Sequence, residues 1–316
     1  MKKSRIVYVL LFMMLLMIGS GCSSTGKSQF VAGKVNVVTT LYPITYFADQ
    51  IGGQYANVIN LVAAGVEPHD WTPKSQDLTA VSNAQLFLYN GAGLEGWVDQ
   101  FLNGLDSSSS VVAVEVSHGI ELIHGETEHD EQDVEDDHNH SDHDVDPHTW
   151  VSPRSALMMA SNIRDALISV DEAHEAQFVA NYEQLAAKLT QLDAQYTEGL
   201  APYQGKDIVV SHQSFGYLCR DYGLHQISIM GLSPDAEPRA QDLLSIADYV
   251  KKHGITTIFF EELVTDRLAS TLANEAKVGT MVLNPLEGLT PEQQKAGENY
   301  FTLMERNLQN LQKALQ

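Results

Sequence analysis

The chain has 316 residues, of which 44% are hydrophobic, and its formal net charge is −22. Because a single hydrophobic core stops growing at roughly 250–300 residues, this length favours two lobes over one. So strong a negative charge makes nucleic acid an implausible partner and a cation a plausible one.

The first 21 residues have the features of a secretory signal peptide. Three cations come before residue 6, residues 6–18 are uninterruptedly apolar, and small residues then lead into Cys22. The apolar run is too short to span a bilayer permanently. A cysteine at this place resembles the bacterial lipoprotein signal, so we expect Cys22 to be lipid-modified and to anchor the chain outside the cell membrane, with residues 22–33 as a flexible tether. If Cys22 is acylated, Cys219 has no partner for an intramolecular disulfide.

From residue 34 the sequence alternates short apolar runs with helical patterns, which is typical of a parallel sheet with crossover helices. We expect residues 34–170 to form an N-terminal lobe. Its predicted strands are Val35–Thr40, Val58–Val62, Leu86–Tyr89 and Val111–Val116. Its predicted helices are Ile44–Ile51, Pro73–Asn83, Leu94–Leu102 and Pro153–Ser169.

A long helix predicted over Glu172–Gly199 carries apolar residues at helical spacing. We interpret residues 171–203 as a stiff linking helix and residues 204–316 as a C-terminal lobe. The predicted strands of that lobe are Asp207–Ser211, Gln226–Ile229, Thr256–Phe260 and Thr280–Leu283, and its helices are Pro238–His253, Asp266–Lys277 and Pro291–Leu315. Thr290 predicts the N-cap of the last helix. The expected fold is α/β, with two (β/α)4 lobes of mostly parallel sheet joined by one rigid helix.

Residues 118–147 interrupt this alternation with a segment rich in acids and histidines. It holds 12 Asp or Glu residues and neither Lys nor Arg. This composition predicts a disordered loop. A solvated acidic insertion would explain the acids but not six histidines within 26 residues, so we interpret the loop as a weak, multivalent cation collector. Its accessory metal-binding residues are predicted to be His124, His129, His138, His140 and His143.

Two fragments share the order acid-Pro-His-x-Trp and then continue to Thr-Pro or Ser-Pro: Glu67–Pro73 and Asp146–Pro153. The Thr-Pro and Ser-Pro pairs predict helix N-termini, which places His69 and His148 on loops just ahead of helices. A preceding proline restricts each loop, and the tryptophan offers an apolar body beside the imidazole. Such a setting favours a fixed, neutral histidine of the kind that binds a metal.

Two further candidates lie at predicted strand exits in the C-terminal half. His212 follows the strand Asp207–Ser211, and Glu287 lies between the strand Thr280–Leu283 and the last helix. Ligands of open α/β sheets collect at such places. Three imidazoles and one carboxylate suit Zn²⁺ better than Mn²⁺ or Mg²⁺. Cys219 is interpreted as a small buried side chain rather than a ligand.

Two acids, Glu261 and Glu262, follow the predicted strand Thr256–Phe260. They either face the cleft between the lobes or are solvated at the end of the strand. The solvated end is the preferred interpretation.

These motifs resemble those of the zinc-specific solute-binding lipoproteins of bacterial ABC transporters, the ZnuA/AdcA group of the cluster A-I binding proteins. The similarity runs across nearly the whole mature chain and includes the histidine- and acid-rich insert. It is carried by GVEPHDWTP around His69, DPHTWVSP around His148, SHQSFGYL around His212 and LNPLEGLT around Glu287. The resemblance implies one Zn²⁺ site between two lobes and delivery of zinc to a membrane permease and its ATPase. We expect the chain to be a monomer that captures zinc without catalysing a reaction.

The resemblance leaves alternatives open. Manganese-selective relatives typically carry a carboxylate where this chain has His212, so His212 favours zinc over manganese. The fourth ligand is Glu287, which we prefer, or water; some relatives use a Glu at the position of Pro68. Three protein ligands and a water would suit a zinc hydrolase, but neither HExxH nor a Ser-His-Asp order accompanies them. A surface adhesion role is a third alternative.

Overall fold

The structure is a computed structural model, which describes residues 30–124, 145–234 and 238–316. The described residues from 32 onward form one compact unit. The predicted signal peptide, the lipidation site Cys22 and four accessory histidines lie outside the described residues, namely His129, His138, His140 and His143. Within the described ranges we find no helix with both the length and the apolar character to cross a bilayer.

The N-terminal half is built on a four-stranded parallel sheet of strand order β2-β1-β3-β4. Every residue of the central strand β1 is buried, as is typical of a parallel sheet with helices on both faces. The strands are β1 (Val35–Thr39), β2 (Ala56–Asn60), β3 (Leu86–Tyr89) and β4 (Val112–Glu115). The connecting helices are α1 (Tyr42–Gly52), α2 (Ser75–Asn83) and α3 (Val98–Asn103).

The C-terminal half repeats this plan with a second parallel sheet of order β6-β5-β7-β8. Its strands are β5 (Asp207–Val210), β6 (His225–Ser228), β7 (Thr257–Phe260) and β8 (Gly279–Val282). Its helices are α6 (Gly216–Tyr222), α7 (Ala240–His253), α8 (Arg267–Ala276), α9 (Pro291–Ala296) and α10 (Tyr300–Leu315). The two halves are called the N-terminal and C-terminal lobes below. Helix α6 is not among the helices predicted from the sequence.

Two helices connect the lobes: α4 (Pro153–Val170) and the 26-residue α5 (Glu175–Leu200). Helix α5 packs against α1, α4 and α10. Its buried residues recur every three to seven positions along one stripe: Phe178, Leu185, Leu189, Leu192, Tyr196 and Leu200. The predicted two-lobe α/β fold with a long linking helix is therefore confirmed, while its exact boundaries at residues 34, 171 and 204 stay a prediction.

The last predicted helix is wrong in one respect, because the structure divides it into α9 and α10. Gly297 adopts a left-handed conformation with φ of 75°, which ends α9. The Asn299 side chain then accepts hydrogen bonds from the backbone N–H groups of Phe301 and Thr302, and this N-cap starts α10. The predicted cap at Thr290 is confirmed, since its hydroxyl accepts from the backbone N–H of Gln293 at 3.2 Å.

The two Ser/Thr-Pro pairs behave differently. Ser152 caps α4 as predicted, accepting a hydrogen bond from the Arg154 backbone N–H at 3.3 Å. The predicted start of α2 at Pro73 is wrong. That helix begins two residues later because the Asp77 carboxylate accepts from the Lys74 backbone N–H at 2.7 Å and makes Lys74 the cap.

Replacing Leu189 by Ala tests whether α5 is a packed structural element. Leu189 is fully buried, and removing a core leucine costs about 2–5 kcal/mol of unfolding free energy. We expect Leu189→Ala to lower the midpoint of urea unfolding strongly, followed by far-UV circular dichroism. The exposed neighbour Lys188 provides the control, and equal midpoints for Leu189→Ala and Lys188→Ala would contradict the packing described for α5.

Candidate metal centre

His69, His148, His212 and Glu287 come together between the lobes. His69 and His148 follow β2 and β4 of the N-terminal lobe, while His212 and Glu287 follow β5 and β8 of the C-terminal lobe. One ligand atom from each residue lies within 4.8 Å of all the others. The side chains of His148, His212 and Glu287 are fully buried, and that of His69 is 10% exposed. The four predicted residues therefore lie together in one site that is almost inaccessible to solvent.

The separations of the facing atoms suit a small ion. The Nε2 atom of His148 lies 3.1 Å from that of His69 and 3.2 Å from that of His212. The Oε1 atom of Glu287 lies 3.4, 3.1 and 3.3 Å from the Nε2 atoms of His69, His148 and His212. Zinc binds nitrogen and oxygen at about 2.0–2.2 Å, which gives a tetrahedron with edges of roughly 3.3–3.6 Å. A modest expansion would accommodate the ion.

Two of the imidazoles are oriented by carboxylates that lie behind them. The Nδ1 atom of His148 lies 2.8 Å from Asp146 Oδ1, and the Nδ1 atom of His212 lies 2.6 Å from Glu261 Oε1. Because an ionised carboxylate only accepts hydrogen bonds, each Nδ1 must carry the proton. A neutral ring therefore directs the lone pair of its Nε2 into the site. This is the arrangement by which carboxylates orient histidine ligands of zinc.

Four acceptor atoms facing one another out of water require positive charge between them. Neither carboxylate oxygen of Glu287 has a hydrogen-bond partner of good geometry among the described residues. An unpaired buried carboxylate is costly, so either protons on the imidazoles or a cation must compensate it. The arrangement can therefore exchange protons for a metal ion.

The pKa shifts of His148, His212 and Glu287 also show that the site favours positive charge on the imidazoles. Burial opposes protonation of both imidazoles, but the adjacent carboxylates outweigh it. Asp146 and Glu287 raise the pKa of His148, and Glu261 and Glu287 raise that of His212 well above its ordinary value. Burial also acts against ionisation of Glu287, but the three imidazoles, His212 foremost, hold its pKa well below the ordinary value.

A further acid, Glu67, lies beside the site. Burial and repulsion by Glu287 raise the pKa of Glu67 to about 9. Its Oε1 atom accepts a hydrogen bond from the His69 backbone N–H at 3.2 Å. Glu67 is not part of the converging group, and it holds the backbone of His69 instead.

The loop that carries Glu287 is fixed by amide side chains. Leu286 adopts a left-handed φ of 61°, which is unusual for a leucine, and its N–H donates to Asn284 Oδ1 at 2.7 Å. Asn307, buried in α10, accepts from the Asn284 N–H at 2.9 Å and donates to the Asn284 carbonyl at 2.6 Å. Glu262 accepts from Asn284 Nδ2 at 2.7 Å. These bonds fix the backbone of the loop that carries Glu287.

The preferred interpretation of a solvated strand end is wrong for Glu261, which is buried, but it agrees with the exposure of Glu262. Glu261 is 3% exposed and orients His212, while Glu262, although exposed, holds the loop of Glu287. Both follow β7, which neighbours β5 and β8 in the sheet. The strand order is the signal that would have identified their roles. Because β7 lies between β5 and β8, acids that follow β7 lie between the loop of His212 and the loop of Glu287.

The remaining candidates lie elsewhere. Cys219 is buried in α6 as a free thiol and is not part of the converging group. His124, the one accessory histidine within the described residues, is exposed and forms an isolated antiparallel bridge with Val145. The role of the accessory histidines stays a prediction.

Comparison with known proteins identifies relatives that match more than nine-tenths of this chain. The chain is 41% identical over 290 residues to the zinc-binding lipoprotein AdcA of Streptococcus pneumoniae. This match covers 92% of this chain but only 57% of that protein. It is 38% identical to the high-affinity zinc uptake system protein ZnuA of Bacillus subtilis, covering 99% of this chain and 98% of that protein. The crystal structure of the Zn(II)-bound ZnuA-like domain of Streptococcus pneumoniae AdcA superposes with a TM-score of 0.76 at 40% identity, covering 90% of this chain and 99% of that one.

The fold and the geometry of the site agree with a family assignment made from the sequence. The family model described as ZnuA, zinc-uptake complex component A, periplasmic, matches residues 37–314. The match leaves out only the first 36 residues and the last two. The chain therefore belongs to the ZnuA family.

Proposed function

We propose that the chain is the high-affinity zinc-binding subunit of an ABC-type zinc importer. The observation that carries the proposal is the buried convergence of three imidazole nitrogens and one carboxylate oxygen within 4.8 Å. Zinc favours four-coordination by such ligands. His69, His148, His212 and Glu287 are the proposed ligands of a zinc ion that is cargo, bound and released without chemical change.

The family supports zinc as the cargo. The Bacillus subtilis relative, matched over nearly its whole length, is named for high-affinity zinc uptake, and a structural relative is titled Zn(II)-bound. Delivery to a membrane permease with its ATPase is proposed with it. We also propose that Cys22 is lipid-modified, that the chain lies on the extracellular face of the membrane, and that it is a monomer.

A zinc hydrolase is the less favoured function. Catalytic zinc keeps an open position for water, whereas Glu287 supplies a fourth protein ligand and would close the coordination sphere. Asp146 and Glu261 are engaged in orienting imidazoles, so neither is free to serve as a general base. Capture and release of the ion fit these contacts better than turnover.

Thermal unfolding with and without zinc tests the proposal. A ligand present at a thousandfold excess over its Kd stabilises the folded state by about 4 kcal/mol, which raises Tm by roughly 7 °C for a chain of this size. We expect that shift with Zn²⁺, a smaller one with Mn²⁺, and none with EDTA. His148→Ala should abolish the zinc shift, whereas His225→Ala, which alters an exposed histidine outside the site, should keep it. Equal shifts by the two metals would count against zinc selectivity.

Neutralising the carboxylates behind the imidazoles should weaken zinc binding. Loss of such a partner typically costs 10–100-fold in metal affinity. We therefore expect Asp146→Asn and Glu261→Gln each to raise the zinc Kd about 10–100-fold, measured by competition with a chromophoric chelator. Asp171→Asn is the matched control, because Asp171 accepts from His174 Nδ1 at 2.6 Å away from the site. An unchanged Kd in Glu261→Gln would refute the orienting role.

Zinc affinity should fall with decreasing pH. The adjacent carboxylates raise the pKa values of His148 and His212 above the ordinary value of about 6.5, so without metal both rings keep their protons to a higher pH than a free imidazole does. Zinc must displace those protons. We expect the apparent affinity to fall as the pH is lowered, beginning above the range in which ordinary imidazoles titrate, by up to about 100-fold per pH unit if two protons leave. Calorimetry in buffers of different ionisation enthalpy would count the released protons, and an affinity independent of pH from 6 to 8 would contradict the ligand set.

A further inference from the structure

The segment from Asp146 to Trp150 carries His148 and belongs to the N-terminal lobe, yet both its ends are bonded to the C-terminal lobe. At one end, the Tyr217 hydroxyl of α6 donates to the Asp146 carbonyl at 2.7 Å. At the other, the Trp150 indole N–H donates to the Pro285 carbonyl at 2.6 Å. These two bonds cross from one lobe to the other within two residues of His148.

Tyr217 connects the surroundings of two proposed ligands. It lies five residues after His212, is fully buried, and bonds to the residue whose carboxylate orients His148. Its oxygen also accepts from the Ile123 backbone N–H at 3.2 Å. Helix α6 approaches Asp146 so closely that a Cβ atom at Gly216 would overlap Asp146 Oδ2. The close packing of α6 against Asp146 therefore depends on the absence of a side chain at Gly216.

Trp150 makes the corresponding connection to Glu287. Its indole is fully buried and lies 5.3 Å, ring centre to ring centre, from His148. The Pro285 carbonyl that it holds is two residues before Glu287. The hydroxyl of Tyr300 donates to the Trp150 carbonyl at 2.8 Å and holds the same residue from α10.

We propose that Tyr217 and Trp150 are positioning residues that set the affinity of the metal centre, by holding His148 in register with His212 and Glu287 across the lobe boundary. The inference rests on the proposed function, since it assumes that these side chains bind zinc. A ligand set divided between two lobes keeps its geometry only if the lobes keep theirs. Direct bonds between the ligand-bearing segments supply that constraint more sharply than packing alone, because hydrogen bonds are directional.

The chain offers a matched pair of variants. Tyr196 and Tyr217 are both fully buried, and each hydroxyl donates to a backbone carbonyl at 2.7 Å, but the acceptor of Tyr196 is Met304, which lies in α10 away from the ligands. Tyr217→Phe and Tyr196→Phe each remove one such hydroxyl. In the absence of metal we expect both variants to lose Tm, Tyr217→Phe more because its oxygen also accepts from the Ile123 N–H, whereas the zinc Kd should rise about three- to tenfold in Tyr217→Phe and stay within twofold of wild type in Tyr196→Phe. The Kd is measured on the full mature chain by chelator competition.

Two further measurements separate positioning from general stability. Cobalt bound to a tetrahedral site absorbs strongly in the visible range, and we expect Tyr217→Phe to weaken and shift that absorption while Tyr196→Phe leaves it unchanged. Trp150→Phe removes the indole N–H and should raise the zinc Kd at least as much as Tyr217→Phe. It also serves as the second variant if Tyr217→Phe does not fold.

The outcomes are distinct. Equal zinc affinities and equal cobalt spectra in Tyr217→Phe and Tyr196→Phe would show that the interlobe bond is only structural and would overturn the inference, leaving the proposed function intact. Failure of the wild-type chain to bind zinc tightly would overturn the proposed function, and the inference would fall with it.

Discussion

Three imidazole nitrogens and one carboxylate oxygen lie close together in a site that is almost inaccessible to water. Their mutual repulsion is the physical constraint on which the rest of the structure depends. Left without positive charge, the Nε2 lone pairs of His69, His148 and His212 and the carboxylate of Glu287 would be costly to bury. The carboxylates of Asp146 and Glu261 add two more negative charges immediately behind the imidazoles. A dication relieves all of these interactions at once, so binding free energy is available without any change in the fold.

The scaffold holds the four groups against this repulsion by fixing the loops that carry them. Parallel strands place their carboxyl ends at one edge of each sheet, and α5 packs against helices of both lobes. The loop of Glu287 is set by Asn284 and Asn307, and the segment of His148 is bonded to the opposite lobe at both ends. Rigidity of this kind favours local adjustment at His69, whose side chain is 10% exposed, over a wide opening of the lobes.

Much of this was predictable from the sequence. The repeated acid-Pro-His-x-Trp fragments single out His69 and His148, and the alternation of strands and helices places His212 and Glu287 at strand exits. Local chemistry also fixed caps such as Thr290 and Ser152 correctly. It failed at Lys74, where a carboxylate one turn into the helix competed successfully with the Thr-Pro signal. It failed again at Gly297, whose left-handed conformation divides a helix that its apolar spacing made look continuous.

The fold class, the residue types of the site and their placement on loops follow from the sequence, because periodicity, capping and strand exits are local properties of the chain. Which acids orient which imidazoles, and which bonds connect the lobes, depends on tertiary packing. Glu261 pairs with a histidine 49 positions away, and Tyr217 with a carbonyl 71 positions away. Such pairs leave no local pattern, since they depend on strand order and on the approach of α6 to Asp146, which arise only when both sheets have formed and packed.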